Sequence, residues 1–196
     1  MPRFTANLSM MFQEVEFLDR FQAAAKAGFK GVEYLFPYDF EVAQLVDLLR
    51  SNNLEQVLHN LPAGDWAAGE RGIAILPDRV GEFQNGVGKA IEYAQALGNK
   101  QVNLLVGIAP KGVDHQTLTT TLIDNARFAA AELAKHGIGM LMEPVNTRDI
   151  PGFFLSSTQQ CLDIIAATGS GNIKLQYDIY HMQIMEGDLA PTMEKN

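Results

Sequence analysis

Residues 139–144 read Gly-Met-Leu-Met-Glu-Pro, a short apolar run that ends at the carboxylate of Glu143. Such a run is typical of a strand that is covered on both faces in a parallel sheet. A carboxylate at the end of a buried strand loses its solvation, so a metal, a cation or a proton must compensate the charge. The segment therefore predicts a parallel sheet with a functional site at the carboxyl ends of its strands.

Runs of the same kind recur along the chain. Between them, longer segments repeat apolar residues with the period of an amphipathic helix, and glycines such as Gly98 and Gly169 stand where such helices would end. We predict strands over residues 4–8, 31–36, 56–61, 101–106, 139–144 and 173–179. The alternation predicts six βα units around a parallel sheet.

Repeated βα units form either an open doubly wound sheet or a closed (β/α)8 barrel. The turn after the first strand reads Asn7-Leu-Ser-Met-Met-Phe12 and has no G-x-G-x-x-G pattern, which disfavours the doubly wound dinucleotide fold. Polar residues also follow several different strands, where barrels build their active sites. We therefore predict a single TIM-barrel domain of the (β/α)8 type over residues 1–196, with only about six βα units encoded.

The composition excludes several classes of protein. With 47% hydrophobic and 19% charged residues, the chain fits a globular protein rather than a disordered or fibrous one. The 23 acidic residues against 15 Lys and Arg give a net charge of -8, which disfavours nucleic acid as a partner. No apolar run approaches the roughly 20 residues of a membrane span, and no secretory signal is visible. Since the lone Cys161 fits a reducing compartment, we expect a cytoplasmic protein without a membrane partner.

Two carboxylates stand out as metal ligands. Glu143 ends the fifth predicted strand, and Asp178 ends the sixth. Carboxylates on neighbouring strands can converge on a hard divalent cation, with His181 in the following loop as a further ligand or a substrate contact. The alternatives are a Glu143 paired with an arginine, an Asp178 that caps a helix and a His181 held by its own loop. Glu33, after the second strand, either enters the same site or makes a structural hydrogen bond.

The loop after the third strand offers groups for a substrate. The strand end and the loop read His59-Asn-Leu-Pro-Ala-Gly-Asp-Trp66, and the loop continues through Gly69-Glu-Arg-Gly72. Arg71 carries the planar fork that binds a carboxylate through two hydrogen bonds, unless it only balances Glu70 at the surface. Trp66 is the only tryptophan, and it either closes over a ligand or packs beneath the loop.

Together these segments resemble the hydroxypyruvate isomerases, a family within the xylose-isomerase-like barrels. The resemblance covers almost the whole chain, and it is most specific in 59–72 and 178–187. The strand-end carboxylates alone indicate only the wider superfamily. Further stretches that carry the resemblance are 7–12, 32–38, 143–144 and 177–183. The resemblance implies interconversion of hydroxypyruvate and tartronate semialdehyde (2-hydroxy-3-oxopropanoate).

The resemblance also implies roles for individual residues. Glu143 would be a metal ligand and the proton-transfer residue, and Asp178 would bind the same divalent cation, such as Mg²⁺ or Mn²⁺. A cation that bridges the carbonyl and hydroxyl oxygens of the substrate stabilises an enediolate, while a carboxylate moves a proton between the adjacent carbons. The residues that we expect to contact the small sugar-acid substrate are Arg71, His181, His59 and Trp66.

The family pattern further requires a ligand on the seventh strand and a second catalytic glutamate on the eighth, which six strands do not provide. We therefore expect a chain that lacks roughly the last fifth of a typical barrel, with little activity of its own. Unpaired sheet edges would favour self-association.

Three alternatives stay open: an isomerase of a related acid such as 2-oxo-tetronate, a non-catalytic barrel fragment that associates with another chain, and a DNA-repair endonuclease of the same superfamily. The acidic charge and the lack of a dense His/Glu/Asp set for several zinc ions argue against the endonuclease.

Overall fold

The computed structural model describes residues 3–196 and contains six strands, each followed by a helix. The strands are β1 (Thr5–Asn7), β2 (Gly31–Glu33), β3 (Glu55–Leu58), β4 (Gln101–Leu104), β5 (Gly139–Met142) and β6 (Ile173–Leu175). The helices are α1 (Arg20–Lys26), α2 (Val42–Asn52), α3 (Val80–Leu97), α4 (His115–Ala134), α5 (Thr158–Thr168), α6 (Ile179–Met185) and α7 (Leu189–Lys195). This order confirms the six predicted βα units. No helix in the described range is both long and apolar enough to cross a membrane.

The six strands lie side by side in chain order, and every ladder pair is parallel. β1, β2 and β3 form one sheet, and β4, β5 and β6 form a second. The sheets meet just beyond β3, where Asn60 and Asn103 form a parallel bridge. The Leu61 N–H donates to the Asn103 carbonyl at 2.8 Å, and the Asn103 N–H donates to the His59 carbonyl at 3.0 Å. All carboxyl ends of the strands therefore face one rim.

Each strand is shorter than the apolar run that predicts it. The predicted strand 31–36 pairs only over Gly31–Glu33, and 173–179 pairs only over Ile173–Leu175. Beyond these residues, side chains at the rim replace the ladder. The Leu35 N–H, for example, donates to the Ser9 hydroxyl at 2.9 Å. The ends of the predicted runs therefore form the rim instead of the sheet.

Two apolar clusters fill the space between strands and helices. The larger lies between β4–β6 and α3–α5 and includes the fully buried Leu122 and Met140. The smaller lies between β1–β2 and α1–α2 and includes Phe21 and Leu45. Helix α3 contributes to both clusters, since its residue Tyr93 packs in the smaller one. The packing of α3 therefore links the two sheets on their outer face.

Two glycines bring the loops after β3 and β4 into backbone contact. Gly72 and Gly107 both have a φ of +119°, which L side chains rarely adopt. A Cβ on Gly72 would stand 2.1 Å from the carbonyl oxygen of Leu105, and one on Gly107 would stand 2.5 Å from the carbonyl oxygen of Gly72. The close approach fixes the loop that carries Arg71 against the end of β4.

Substitution of Gly72 by alanine should destabilise the fold. The new Cβ meets a backbone oxygen and the φ is unfavourable, so we expect a loss of about 2–4 kcal/mol in the free energy of unfolding, measured by urea denaturation. Gly88→Ala is the matched control, because Gly88 lies inside α3 with open space around its Cα. This control should gain about 0.5–1 kcal/mol from helix propensity. Equal stability of the two variants would contradict the proposed role of Gly72.

Candidate active site

A cavity of about 270 Å³ opens at the rim where the strands end. A larger cavity of about 1100 Å³ lies at the opposite ends of the strands, but none of the site residues expected from the sequence lines it. The rim cavity, in contrast, has all six of them on its wall: His59, Trp66, Arg71, Glu143, Asp178 and His181. The rim cavity is therefore the candidate active site.

Glu143 follows β5 directly, and its side chain is almost completely buried. Its Oε2 accepts a hydrogen bond of 2.8 Å from Nδ2 of Asn103, which also donates to Oδ1 of Asn60 at 3.0 Å. Burial, and then the nearby charge of Asp178, raise the pKa of Glu143 to about 7, although hydrogen bonds oppose the shift. None of the salt bridges in residues 3–196 involves Glu143, so the alternative of an arginine partner does not hold there.

Asp178 and His181 stand at the start of α6. Oδ1 of Asp178 accepts the backbone N–H of His181 at 3.1 Å and so caps this helix. The expectation that His181 lies in a loop is wrong, because the cap at Asp178 begins α6 at Ile179 and so places His181 in its first turn. Ligand atoms of Glu143, Asp178 and His181 all lie within 4.8 Å of one another. Asp178 therefore caps a helix and also faces the cavity.

This cluster fits a hard divalent cation. Its two carboxylates provide oxygen donors of the kind that Mg²⁺ and Mn²⁺ prefer, and the imidazole of His181 lies beside them. Neither carboxylate has a Lys or Arg partner within the described part of the chain. Their proximity leaves negative charge uncompensated, since Asp178 contributes to the raised pKa of Glu143. A bound cation would compensate that charge.

Arg71 and Trp66 form one unit on the cavity wall. The guanidinium carbon of Arg71 lies 3.9 Å from the centroid of the Trp66 ring. Nη1 of Arg71 donates to the carbonyl oxygens of Trp66 at 3.0 Å and of Glu70 at 2.7 Å. The carboxylate of Glu70 pairs with Arg79 instead of Arg71, so the alternative of simple surface balance does not hold. The Nε and Nη2 edge of Arg71 has no hydrogen-bond partner in residues 3–196.

His59 borders the cavity, but its ring is buried. Nδ1 lies 3.0 Å from Nδ2 of Asn99, and the ring meets that of Tyr38 edge-on at 5.9 Å. Burial lowers the pKa of His59 to about 4. Neighbouring residues of an extended chain point to opposite faces. Since the side chain of Asn60 points inward to Asn103, the ring of His59 points outward. Contact between His59 and a substrate stays a prediction.

Glu33 also lines the cavity. Its Oε1 accepts a hydrogen bond of 3.2 Å from Nδ2 of Asn7, so both functions considered for Glu33 are combined in one side chain. Burial raises the pKa of Glu33, and the charge of Asp178 adds to the shift. A third carboxylate thus contributes negative charge to the site.

Two buried asparagines that no sequence motif indicated belong to the site. Asn103 contacts Glu143, and Asn146 contacts His181 with its Nδ2 at 2.8 Å from Nδ1. Asn103 is a polar residue inside the apolar run 101–106, and a buried amide needs a partner, so a signal was present. Asn146 lies in a rim loop, where a polar residue gives no such signal.

Comparison with known proteins decides the family. The family model described as xylose isomerase-like TIM barrel matches residues 21–195. The chain belongs to this family. A D-psicose 3-epimerase structure from Clostridium cellulolyticum H10, determined with D-tagatose, shares the family fold with a TM-score of 0.77 at 16% identity, covering 98% of this chain and 69% of that chain. The predicted barrel fold is confirmed.

More similar proteins are known at higher identity. The hydroxypyruvate isomerase of Escherichia coli (strain K12) is 56% identical over 98% of this chain and 75% of its own length. A 2-oxo-tetronate isomerase of Cupriavidus necator is 46% identical over 100% of this chain and 75% of its own length. A Brucella melitensis structure described as an AP endonuclease of family 2 has a TM-score of 0.97 at 48% identity, covering 100% of this chain and 75% of that chain. The predicted family membership is confirmed.

Acidification should destabilise the protein through His59. Its pKa falls from 6.5 to about 4 on folding, so the unfolded state binds more protons between these values. The stabilisation is complete above pH 6.5 and is lost as the pH falls towards 4, by up to about 3 kcal/mol. Because the raised pKa of Glu143 gives an opposite slope in the same pH range, the effect of His59 is read as a difference. As the pH rises from 4 to 6.5, urea unfolding should show the natural chain gaining stability relative to His59→Gln. His136→Gln, at an exposed position, should keep the slope, and an unchanged slope in His59→Gln would refute the assignment.

Proposed function

We propose that the protein interconverts hydroxypyruvate and tartronate semialdehyde by proton transfer between adjacent carbons. The observation that carries the proposal is one small cavity that holds both the Glu143, Asp178 and His181 cluster and the free edge of Arg71. A cation site beside an unpartnered guanidinium suits a small acid with a neighbouring carbonyl and hydroxyl. The identity of 56% to an Escherichia coli hydroxypyruvate isomerase supports this substrate.

Glu143 and Asp178 are the residues that would hold the cation. When bound, a divalent cation supplies positive charge to the carbonyl and hydroxyl oxygens and so favours the enediolate. Glu143 accepts and returns the carbon-bound proton, since its carboxylate lines the cavity in which the substrate would lie. Asn103 fixes the orientation of the Glu143 carboxylate through the bond to Oε2.

Arg71 binds the carboxylate of the substrate. Trp66 stacks on the guanidinium, and two backbone carbonyls hold Nη1, so the plane of the guanidinium is fixed before a ligand arrives. The free Nε and Nη2 edge offers two parallel N–H groups, which match the two oxygens of a carboxylate. His181, in the first turn of α6, contacts an oxygen of the same substrate.

An endonuclease function is the alternative that the Brucella melitensis structure brings forward. A net charge of -8 repels a phosphate backbone. Within residues 3–196, one group of three residues offers ligands for a metal, whereas several zinc ions need more. These observations favour an acid isomerase over a phosphodiesterase.

The remaining parts of the proposal concern partners and location. We assign a small sugar acid as the ligand, with neither nucleic acid nor a membrane as partner, and a cytoplasmic site of action, since the lone buried Cys161 suits a reducing compartment. Self-association is also proposed, because the outer edges of β1 and β6 have no strand partner within the described residues.

A divalent cation should stabilise the protein. After treatment with a chelator, Mg²⁺ or Mn²⁺ at a hundredfold excess over the dissociation constant should add about 2.7 kcal/mol to the free energy of unfolding, seen as a rise in Tm. Glu143→Gln and Asp178→Asn should each remove the rise. Asp163→Asn, at an exposed acid of α5, should retain it. The same rise in all four proteins would exclude the proposed ligands.

Substitution of Arg71 by lysine should weaken substrate binding. Lysine keeps the charge but loses the paired N–H groups, so KM for hydroxypyruvate should rise about tenfold or more. Because Trp66 is the only tryptophan and contacts Arg71, its fluorescence reports binding separately from turnover. Arg50→Lys, at the exposed end of α2, is the control. An unchanged KM and fluorescence titration in Arg71→Lys would limit Arg71 to ordering its loop.

For the choice of acid, hydroxypyruvate and 2-oxo-tetronate should be compared as substrates of the same preparation. We expect the larger kcat/KM for hydroxypyruvate, since the identity to the hydroxypyruvate isomerase exceeds that to the 2-oxo-tetronate isomerase. The reverse order would assign the four-carbon acid.

A further inference from the structure

Asn146 lies in the loop between β5 and α5 and is completely buried. Its Oδ1 accepts the backbone N–H of Asp149 at 2.8 Å. Its Nδ2 lies 3.0 Å from Oδ2 of Asp149 and 2.8 Å from Nδ1 of His181. The amide therefore connects the rim loop to the first turn of α6.

The orientation of this amide follows from Asp149 alone. A backbone N–H can only donate, so it must face the Oδ1 atom of Asn146. An ionised carboxylate can only accept, so it must face the NH₂ group. A flipped amide would set its NH₂ group against the backbone N–H of Asp149, and its oxygen against the carboxylate of Asp149. Asn146 consequently presents an N–H, and not an oxygen, to His181.

Nδ1 of His181 must then be a hydrogen-bond acceptor. In a neutral imidazole one nitrogen accepts and the other carries the proton, so the proton is on Nε2. Nε2 has no hydrogen-bond partner in residues 3–196, and His181 lines the cavity. The bond from the His181 backbone N–H to Asp178 fixes the residue at the helix start. His181 therefore offers an N–H donor to a ligand.

We propose that Asn146 is a positioning residue that holds His181 as the Nε2–H tautomer, so that His181 donates to a substrate oxygen and does not ligate the cation. A histidine that ligates a metal usually donates its second N–H to a carboxylate or a carbonyl. Here the second nitrogen meets a donor, which is the opposite arrangement. Glu143 and Asp178 remain the ligands. The identity of the substrate oxygen rests on the proposed function, whereas the tautomer does not.

A fixed donor is useful for the proposed reaction. Negative charge develops on the substrate oxygens as the enediolate forms, and a preoriented N–H stabilises it without reorganisation. A second bond keeps α6 in place, because the Tyr180 hydroxyl donates to Oδ2 of Asp149 at 2.6 Å. Asn146 and Tyr180 thus both donate to Oδ2 of Asp149. Asp149 therefore holds the Asn146 amide and, through Tyr180, the turn of α6 that carries His181.

The tautomer can be measured directly by ¹⁵N NMR of protein labelled in its histidine rings. At mildly alkaline pH and with a chelator present, the His181 signals should show an unprotonated Nδ1 and a protonated Nε2. His181→Asn assigns these signals among the four histidines. Addition of Mg²⁺ alone should leave the pattern unchanged. A protonated Nδ1, or a shift of Nε2 typical of metal coordination, would overturn the proposal.

A pair of variants tests the part that Asn146 plays. Asn146→Asp combined with Asp149→Asn replaces the donor by an acceptor and keeps one negative charge in the pair, so the His181 proton should move to Nδ1. The loss of the donor should lower kcat/KM for hydroxypyruvate about tenfold. Asp149→Asn alone keeps the amide of Asn146 and should keep the natural tautomer. Retention of the Nε2–H tautomer in the double variant would refute the role of Asn146.

The two proposals fail in different ways. The tautomer is read from the resting protein, so a lack of hydroxypyruvate turnover counts against the proposed function alone. A protonated Nδ1 in the natural chain counts against Asn146 whatever the activity. If the double variant does not fold, the spectrum of the natural chain still decides.

Discussion

The burial of a carboxylate is the constraint on which the rim depends. Glu143 is 7% exposed and has no cationic side chain beside it in the described chain, so its charge must be met by dipoles, a proton or a bound ion. Asn103 provides the dipole, and its second N–H donates to Asn60, just beyond the neighbouring strand β3. The negative charge that this dipole does not compensate makes the cluster with Asp178 suitable for a cation. Stability and chemistry at this rim therefore have the same origin.

The fold and the two carboxylates could be predicted because their signals are local. An apolar run shows a covered strand within four or five residues, and an acid at its end shows the rim. Residues 139–144 combine both signals, and β5 indeed covers Gly139–Met142 with Glu143 just beyond it. Parallel neighbours then bring Asp178 beside Glu143 without further information, since β5 pairs with β6.

The rest depends on contacts between distant segments. The sequence gives no indication that the ring of His59 turns outward to Asn99 while its neighbour Asn60 turns inward. Side chains alternate along an extended segment, so a shift of one residue would exchange the two directions. Nor does it show that Glu70 takes Arg79 as partner and leaves Arg71 to stack on Trp66. These choices follow from the path of the long loop, which the two glycine contacts determine.

The bridge between Asn60 and Asn103 joins the two three-stranded sheets, and it also determines how they can align. Side chains alternate between the faces of a strand, so a slip of one residue between β3 and β4 would turn the side chain of Asn60 away from Asn103. The slipped pairing would leave one N–H of the buried Asn103 amide without its acceptor, at a cost of about 1–3 kcal/mol. Misaligned intermediates are thereby penalised as the halves come together. The polar residues of the site thus help to select the correct strand alignment during folding.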